Sequence, residues 1–472
     1  MGVMFKKNKL TSFASETSLR FDYLFNNFVS QLSGDYYTYK ELFDIVGYSK
    51  LDISGLSTIK YAEIGNVEKT GDVNPVTLSL DDRNELNESL FKKIEKGDII
   101  KPQKDDILIS AIRPYLNKNV LISDEEIYFT KAFIQIRPKI NSVIFYHTLR
   151  SIFFKNLNAV SRQGKGYPTL KEDDLKTIRF PKNIIDAIIN GQDLLIKKIT
   201  PIEQEIKTLK KSKKDVLVII NEVFGEELGF DWEKFEELKK QKIFTSSLLK
   251  FSNNIDCRYS YKFHNKAGKY VYDFLVSITD KRIKDFISEP IVLGKSVSPK
   301  DYDENGEYFY IAMSNIKNWA FEENGCKKVK KEYWTKNLNK TVQKNDIILA
   351  RSGEGTIGKV ALIEDKDIKA IFADFTQRIR LKNYNHRLAY YYFRSDLFQY
   401  LVYTHKKGLG NNTNIFPSQI REFPIPDWSE EKQTEIVEKI KSRIDAQKNI
   451  DKQIEEKQNK ISELIENAIK NS

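Results

Sequence analysis

The chain has 472 residues, 40% hydrophobic and 30% charged, with a formal net charge of +11. This excludes a disordered or fibrous chain, leaves room for two to four domains of about 100–200 residues, and favours a polyanionic partner. No apolar run approaches the roughly eighteen residues that cross a bilayer, and "MGVMFKKNKL" lacks a signal-peptide core and carries Lys6 where N-myristoylation needs Ser or Thr, so a cytoplasmic protein is expected.

The first half opens on an arginine among aromatics, "RFDYLFNN" from Arg20. "YAEIGNVEK" from Tyr61 alternates as a strand does and ends in a turn carrying asparagine. "DDILISAIRPYLNKNVLI" from Asp105 has an acidic turn, a β-branched run, a basic loop and a second apolar run, which predicts a hairpin. A glycine-bearing loop, "SRQGKGYPTLKEDDLKTIRFP", closes this half at Pro181. A domain over 1–181 and a long helix over 182–225 follow, with a kink or break expected at Pro201, which removes a backbone donor. The charged stretch 226–257 reads as a linker with a short helix and a solvated Lys/Glu face.

The plan then repeats. "CRYSYKFHN" places Arg258 as the counterpart of Arg20, at an offset of 258 − 20 = 238. "YIAMSNIKN" from Tyr310 answers the strand at Tyr61, and "NDIILARSGEGTIGKVALI" from Asn345 answers the hairpin at Asp105. "THKKGLGNNTNIFPSQIREFPIP" closes the second domain, 258–426. From 427 to 472, Ile436, Ile440, Ile444, Ile454, Ile461, Leu464, Ile465 and Ile469 recur at helical spacing, and Ser429 precedes Glu430 and Glu431 as an N-cap precedes an acidic first turn. The expected fold is mixed α/β: two repeated α+β domains joined by two long helices. Neither helix can bury its apolar stripe alone, so the two are expected to pack as an antiparallel coiled coil.

Catalytic chemistry is sparse. Gly353, Gly355 and Gly358 fit G-x-G-x-x-G, and Gly353, Gly358 and Lys359 fit most of a P-loop. A dinucleotide or P-loop site needs a helix after the glycines, and the P-loop needs a terminal hydroxyl; here "VALI" follows and Val360 stands at the hydroxyl position. The matching loop of the first half, "AIRPYLNKN", has no glycine, so a hairpin loop is expected in both. "PDWSEEK" from Pro426 holds nuclease-like carboxylates but reads as a capped helix start. His147, His264, His386 and His405 lack metal-ligand spacing and read as surface or loop residues, and Cys257 and Cys326 read as small hydrophobes.

These marks, in this order and given twice, resemble the specificity subunit of a type I restriction-modification system: the arginines at 20 and 258, the "GDII…DDILIS" and "NDIILARSG…GK" hairpins, the "FP" and "FPIP" exits, and "EEKQTEIVEKI". The resemblance covers nearly the whole chain. It implies two target-recognition domains that each read one half of a split, asymmetric site in double-stranded DNA, with a non-catalytic role for this chain. It also implies helices that dock two methyltransferase subunits and space the half-sites, and a restriction/translocase subunit that joins them. S-adenosylmethionine, ATP and magnesium would sit on those partners, and this chain would hold no cofactor. Pro201 and the lack of an "EEKQTEIV" counterpart in the first helix depart from a strict repeat.

Arg, Asn and Gln read base edges, and Lys holds phosphates. The expected DNA contacts in the first domain are Arg113, Asn117 and Lys118 in the hairpin, with Arg162, Gln163, Lys165 and Tyr167 in the glycine-bearing loop. In the second they are Arg351, Ser352 and Lys359, with Lys406, Lys407, Asn411, Asn412 and Asn414. Competing assignments are the specificity subunit of a fused methylase-nuclease (type IIB-like) system, an NTP-binding enzyme using the loop at Gly353, and a coiled-coil protein adaptor.

Overall fold

The structure, a computed structural model, describes residues 34–48, 55–80, 91–123, 126–163, 166–241, 243–245, 247, 258–353, 355–365, 368–408 and 412–470. Arg20, Lys165, Cys257 and Asn411 lie outside the described residues. The chain forms two compact units, Met1–Lys211 with Lys452–Ser472, and Ser212–Asp451.

In the first unit the central sheet is antiparallel, in the order Phe43–Ile45, Phe133–Pro138, Ile107–Ser110, Val120–Leu121. Successive side chains of a strand point to opposite faces. Ile107 and Ile109 accordingly enter a core with Phe43, Phe145 and Phe180, while Leu108 and Val120 enter another with Phe129 and Phe133. Both faces are covered, which is why "ILIS" is buried throughout. A second sheet runs Val76–Ser79, Thr58–Ala62, Tyr128–Thr130, Ile99–Ile100, its middle pair parallel. The asparagine turn expected after Tyr61 is present: the Glu63 N–H donates to Asn66 Oδ1 at 2.9 Å.

The second unit has an antiparallel sheet ordered Val292–Leu293, Thr376–Ile379, Ile347–Ala350, Val360–Leu362. Ile347 and Leu349 face one core and Ile348 and Ala350 another. A three-stranded sheet places Tyr308–Ile311 between Lys327–Val329, antiparallel, and Ala370–Phe372, parallel. Its asparagine turn is closed by the Ala312 N–H on Asn315 Oδ1 at 3.1 Å.

Helix Lys182–Ser212 runs unbroken through Pro201. The break expected there falls instead at 213–215, where Asp215 Oδ1 accepts the Leu217 N–H at 2.7 Å and starts helix Val216–Leu228. Proline removes one intrahelical bond, whereas Ile199 and Ile202 on either side of it are buried and hold the turn in place. The run Lys210–Lys214 has no apolar anchor to carry the helix onward.

The stretch expected as a linker begins inside the second unit's core. Phe230 and Phe235 are buried there beside Phe224, while the charged residues of helix Trp232–Lys240 face solvent.

Helix Glu430–Lys470 is continuous, and the Lys432 N–H reaches Ser429 Oγ at 3.3 Å, the expected cap. Within the second unit it runs against Val216–Leu228 in the opposite direction: Lys213 pairs with Asp451, Glu226 with Arg443, and Glu227 with Lys432. Two hydrogen bonds of 2.8 Å join Arg443 to Glu226, and with Lys439 they hold that carboxyl down at about 2. Within the first unit, Lys457 pairs with Glu205.

Candidate nucleic-acid interface

Each unit presents a hairpin loop rooted in a buried carboxylate. In the first unit Asp106 is wholly buried and accepts four hydrogen bonds: from the Gln103 N–H at 2.9 Å, Gln135 Nε2 at 2.6 Å, and Arg137 Nε and Nη2 at 2.8 and 3.0 Å. An ionised carboxylate is tolerated at such depth only when its lone pairs are met. The strand that follows delivers the loop 111–119 to the surface. That loop is fastened to the glycine-bearing loop by the Arg113 N–H on the Pro168 carbonyl at 2.9 Å and the Leu170 N–H on the Ala111 carbonyl at 2.8 Å.

In the second unit Asp346, also wholly buried, accepts from the Gln343 N–H at 2.8 Å and from Arg380 Nε and Nη2 at 2.7 and 2.8 Å. The loop from Arg351 is fastened to the segment at Thr413 by the Gly353 N–H on the Thr413 carbonyl at 3.3 Å and the Ile415 N–H on the Arg351 carbonyl at 2.9 Å. Within each unit, the two loops singled out from the sequence are therefore neighbours.

The glycine motif is explained by backbone geometry. Gly353 and Gly358 have φ of +84° and +87°, in the left-handed region, and the chain continues into strand Val360–Leu362, antiparallel to Ile347–Ala350. No helix follows to hold a phosphate in the dinucleotide manner. In the first unit the left-handed positions fall on Arg113 and Asn117, with φ of 51° and 52°. The glycines are absent there, but the bend is kept.

The predicted residues separate by what they already hold. Asn117 donates to the Arg150 carbonyl at 3.0 Å and accepts from Asn119, and Lys118 donates to the Ile64 carbonyl at 3.0 Å, so both brace the hairpin. Arg162 is bound by its Nε to both oxygens of buried Asp174, at 2.8 and 3.0 Å. Gln163 sits in a short strand paired with Pro168. Arg113 is exposed, with its guanidinium 5.2 Å from the Tyr167 ring centroid, and Tyr167 is itself 40% exposed.

In the second unit Arg351 Nε donates to the Asp374 carbonyl at 2.8 Å and its Nη1 to Asn414 Oδ1 at 3.0 Å. Asn414 in turn donates to the Asn412 carbonyl and exchanges backbone bonds with Lys407. Ser352 is buried, its hydroxyl on the Thr413 carbonyl at 3.3 Å, and Lys406 is largely buried over the Tyr403 ring. Lys359 is half-buried at the end of its loop.

Several contributors escaped the sequence. Phe375, 47% exposed, lies 5.7 Å from the Arg351 guanidinium, and Tyr115 is exposed in the first hairpin loop. Arg258, noted only as a repeat mark, pins the second loop by donating to the carbonyls of His405 and Lys406 at 2.9 and 2.7 Å. His405 is not a surface residue: it is held among the rings of Phe263, Tyr272 and Phe423, and burial pushes it down to about 4. Cys326 is half-buried, its thiol on the Tyr310 carbonyl, and burial raises it to about 11. Among the described residues no cluster of three His, Cys, Asp or Glu could hold a metal, and no helix is long and apolar enough to cross a membrane.

Residues 276–458 match the family described as Type I restriction modification DNA specificity domain. No curated protein matches the chain. Among solved structures, the HsdS subunit from Thermoanaerobacter tengcongensis is 13% identical, over 92% of this chain and 95% of that one, with a TM-score of 0.35. The S subunit of a type I restriction-modification system from M. genitalium is 12% identical, over 92% and 95%, with a TM-score of 0.36. A chain from a type I R-M system, solved for its complex assembly and conformational transition, is 12% identical over 92% and 96%, with a TM-score of 0.39.

Proposed function

We propose that this chain, whose residues 276–458 match the type I restriction-modification DNA specificity domain, is the non-catalytic recognition subunit of such a system, with each unit reading one half of a bipartite, asymmetric DNA site. The observation that carries the proposal is a hydrogen-bond framework present in both units. Asp106 with Arg137, and Asp346 with Arg380, root a hairpin loop that two backbone bonds fasten to a second loop. A framework used twice, carrying loops of different sequence, suits two readers of unrelated half-sites.

Each half-site would be engaged by the paired loops, with base edges met by side chains and phosphates by lysines and backbone amides. The net charge of +11 supports a polyanionic ligand, because phosphate neutralisation releases counterions. The long helices would pair as an antiparallel coiled coil that sets the gap between half-sites and docks two methyltransferase subunits. The opposed pairing of Glu226 with Arg443 and Glu227 with Lys432 supports that direction. S-adenosylmethionine would be held by the methyltransferase subunits, and ATP with magnesium by a restriction/translocase subunit, all in the cytoplasm.

The test is to express the chain with its methyltransferase and map genomic adenine methylation. A two-part motif with a fixed unspecified gap is expected; methylation in a continuous palindrome contradicts the proposal.

A further inference from the structure

We propose that Arg113 and Arg351 are the residues that read bases in the two units, each directed at the O6/N7 edge of a guanine, while the other basic candidates brace the loops or hold phosphates. The inference rests on the DNA-recognition proposal and narrows it to two side chains.

Hydrogen-bond accounting makes the selection in the first unit. The charge of Arg162 is paired with the buried carboxylate of Asp174, whereas Lys118 is held by a carbonyl and Asn117 by Arg150 and Asn119. Arg113 is exposed, and among the described residues its guanidinium makes no hydrogen bond or ion pair. Its guanidinium lies over the exposed Tyr167 ring, which restricts the fork without consuming a donor. Its backbone is left-handed at φ 51°, ψ 55°, immediately before Pro114, a conformation that an L residue pays for in strain. The Arg113 N–H on the Pro168 carbonyl sustains that strain, and the side chain is exposed.

Arg351 reaches the same end by a different route. A guanidinium has five N–H donors. Nε is used by the Asp374 carbonyl and one Nη1 hydrogen by Asn414, so one hydrogen on Nη1 and two on Nη2 remain as an end-on fork. The two anchors and the Phe375 ring fix its direction. Asn414 is then a positioning residue, acting through Arg351. Bidentate Arg to guanine is the commonest specific contact in the major groove, and such pairs discriminate by roughly 5- to 150-fold.

The test selects sequences from randomised double-stranded DNA with the full chain in its methyltransferase complex. Arg113→Lys keeps the charge and loses the fork. It should erase most of the preference for guanine at one position of one half-site, by roughly 5- to 150-fold, leaving the other half and the salt dependence unchanged. Arg351→Lys should do the same in the other half, and Asn414→Ala should weaken that same position. Tyr167→Leu, at an exposed ring, provides a variant with little risk to folding and should blunt the Arg113 position. If both lysine variants select the wild-type motif, or if Arg113→Ala and Arg351→Ala weaken all sequences alike and lower the salt slope by about one, the two arginines are not base readers and this inference fails alone. If the wild-type complex selects no sequence, the recognition proposal itself fails.

Discussion

Arg137 holds the buried carboxylate of Asp106 through two hydrogen bonds, Nε to Oδ1 at 2.8 Å and Nη2 to Oδ2 at 3.0 Å. The hydrogen bond also raises the arginine above its usual range. Arg380 grips Asp346 in the second unit by the same two atoms. Both carboxylates also accept a backbone N–H three residues earlier, so each fixes the turn from which its hairpin strand leaves.

Asp106→Asn should therefore destabilise the first unit. An amide cannot accept from Gln103, Gln135 and Arg137 together, and an unmatched buried donor costs about 1–3 kcal/mol. The expected loss is about 3 kcal/mol, read as a lower urea midpoint for the transition of that unit. An unchanged midpoint would mean that the turn is held elsewhere.

The glycines of the second hairpin loop should differ in tolerance. Gly358 has φ +87°, and an added Cβ would lie 2.7 Å from Gln399 Oε1, whereas Gly355 has an ordinary φ and open space around it. Gly358→Ala should cost about 1–2 kcal/mol and Gly355→Ala less than about 0.5 kcal/mol. Calorimetry with ATP should show no binding to the chain, since the loop joins two strands rather than opening a helix.

The order of elements was legible because periodicity survives in single sequences: the buried runs "ILIS" and "IILA", the asparagine turns and the cap at Ser429 all stand where spacing puts them. What pairing across the sheet decides was not. Arg137 and Arg380 meet carboxylates in the turns that lead into neighbouring strands, and no local pattern marks them. The left-handed Arg113 was hidden because proline follows it, and sequence rules place such a residue in extended conformation. Pro201 misled in the other direction: its cost was real but smaller than the burial that holds the helix. Of the candidate site, the loops were visible, but not which side chains were already engaged.

Acid should loosen the second unit. His405 is neutral in the fold, its Nδ1–H donating to the Leu401 carbonyl at 2.9 Å, and burial lowers it to about 4 from an ordinary value near 6.5. The unfolded chain takes up the proton first. The contribution is therefore complete above about pH 6.5 and is lost as pH falls through about 4, at no more than about 1.4 kcal/mol per pH unit. Melting curves from pH 7 to 4 should show this slope, and His405→Phe should flatten it.

Gln377 is wholly buried, and neither atom of its amide has a hydrogen-bond partner among the described residues. It faces a position opposite Leu349, where the first unit places Ile134 opposite Ile109. Gln377→Ile should stabilise the second unit by about 1–2 kcal/mol, measured as a raised melting temperature. A lowered one would show that the amide is satisfied in solution.

The central claim is that two units read two half-sites independently. It is tested most directly by replacing residues 1–181 with the matching segment of a relative that recognises a different sequence, then mapping adenine methylation. The account predicts that one half of the motif changes while the other half and the gap stay the same. A change in both halves, or in neither, would contradict it.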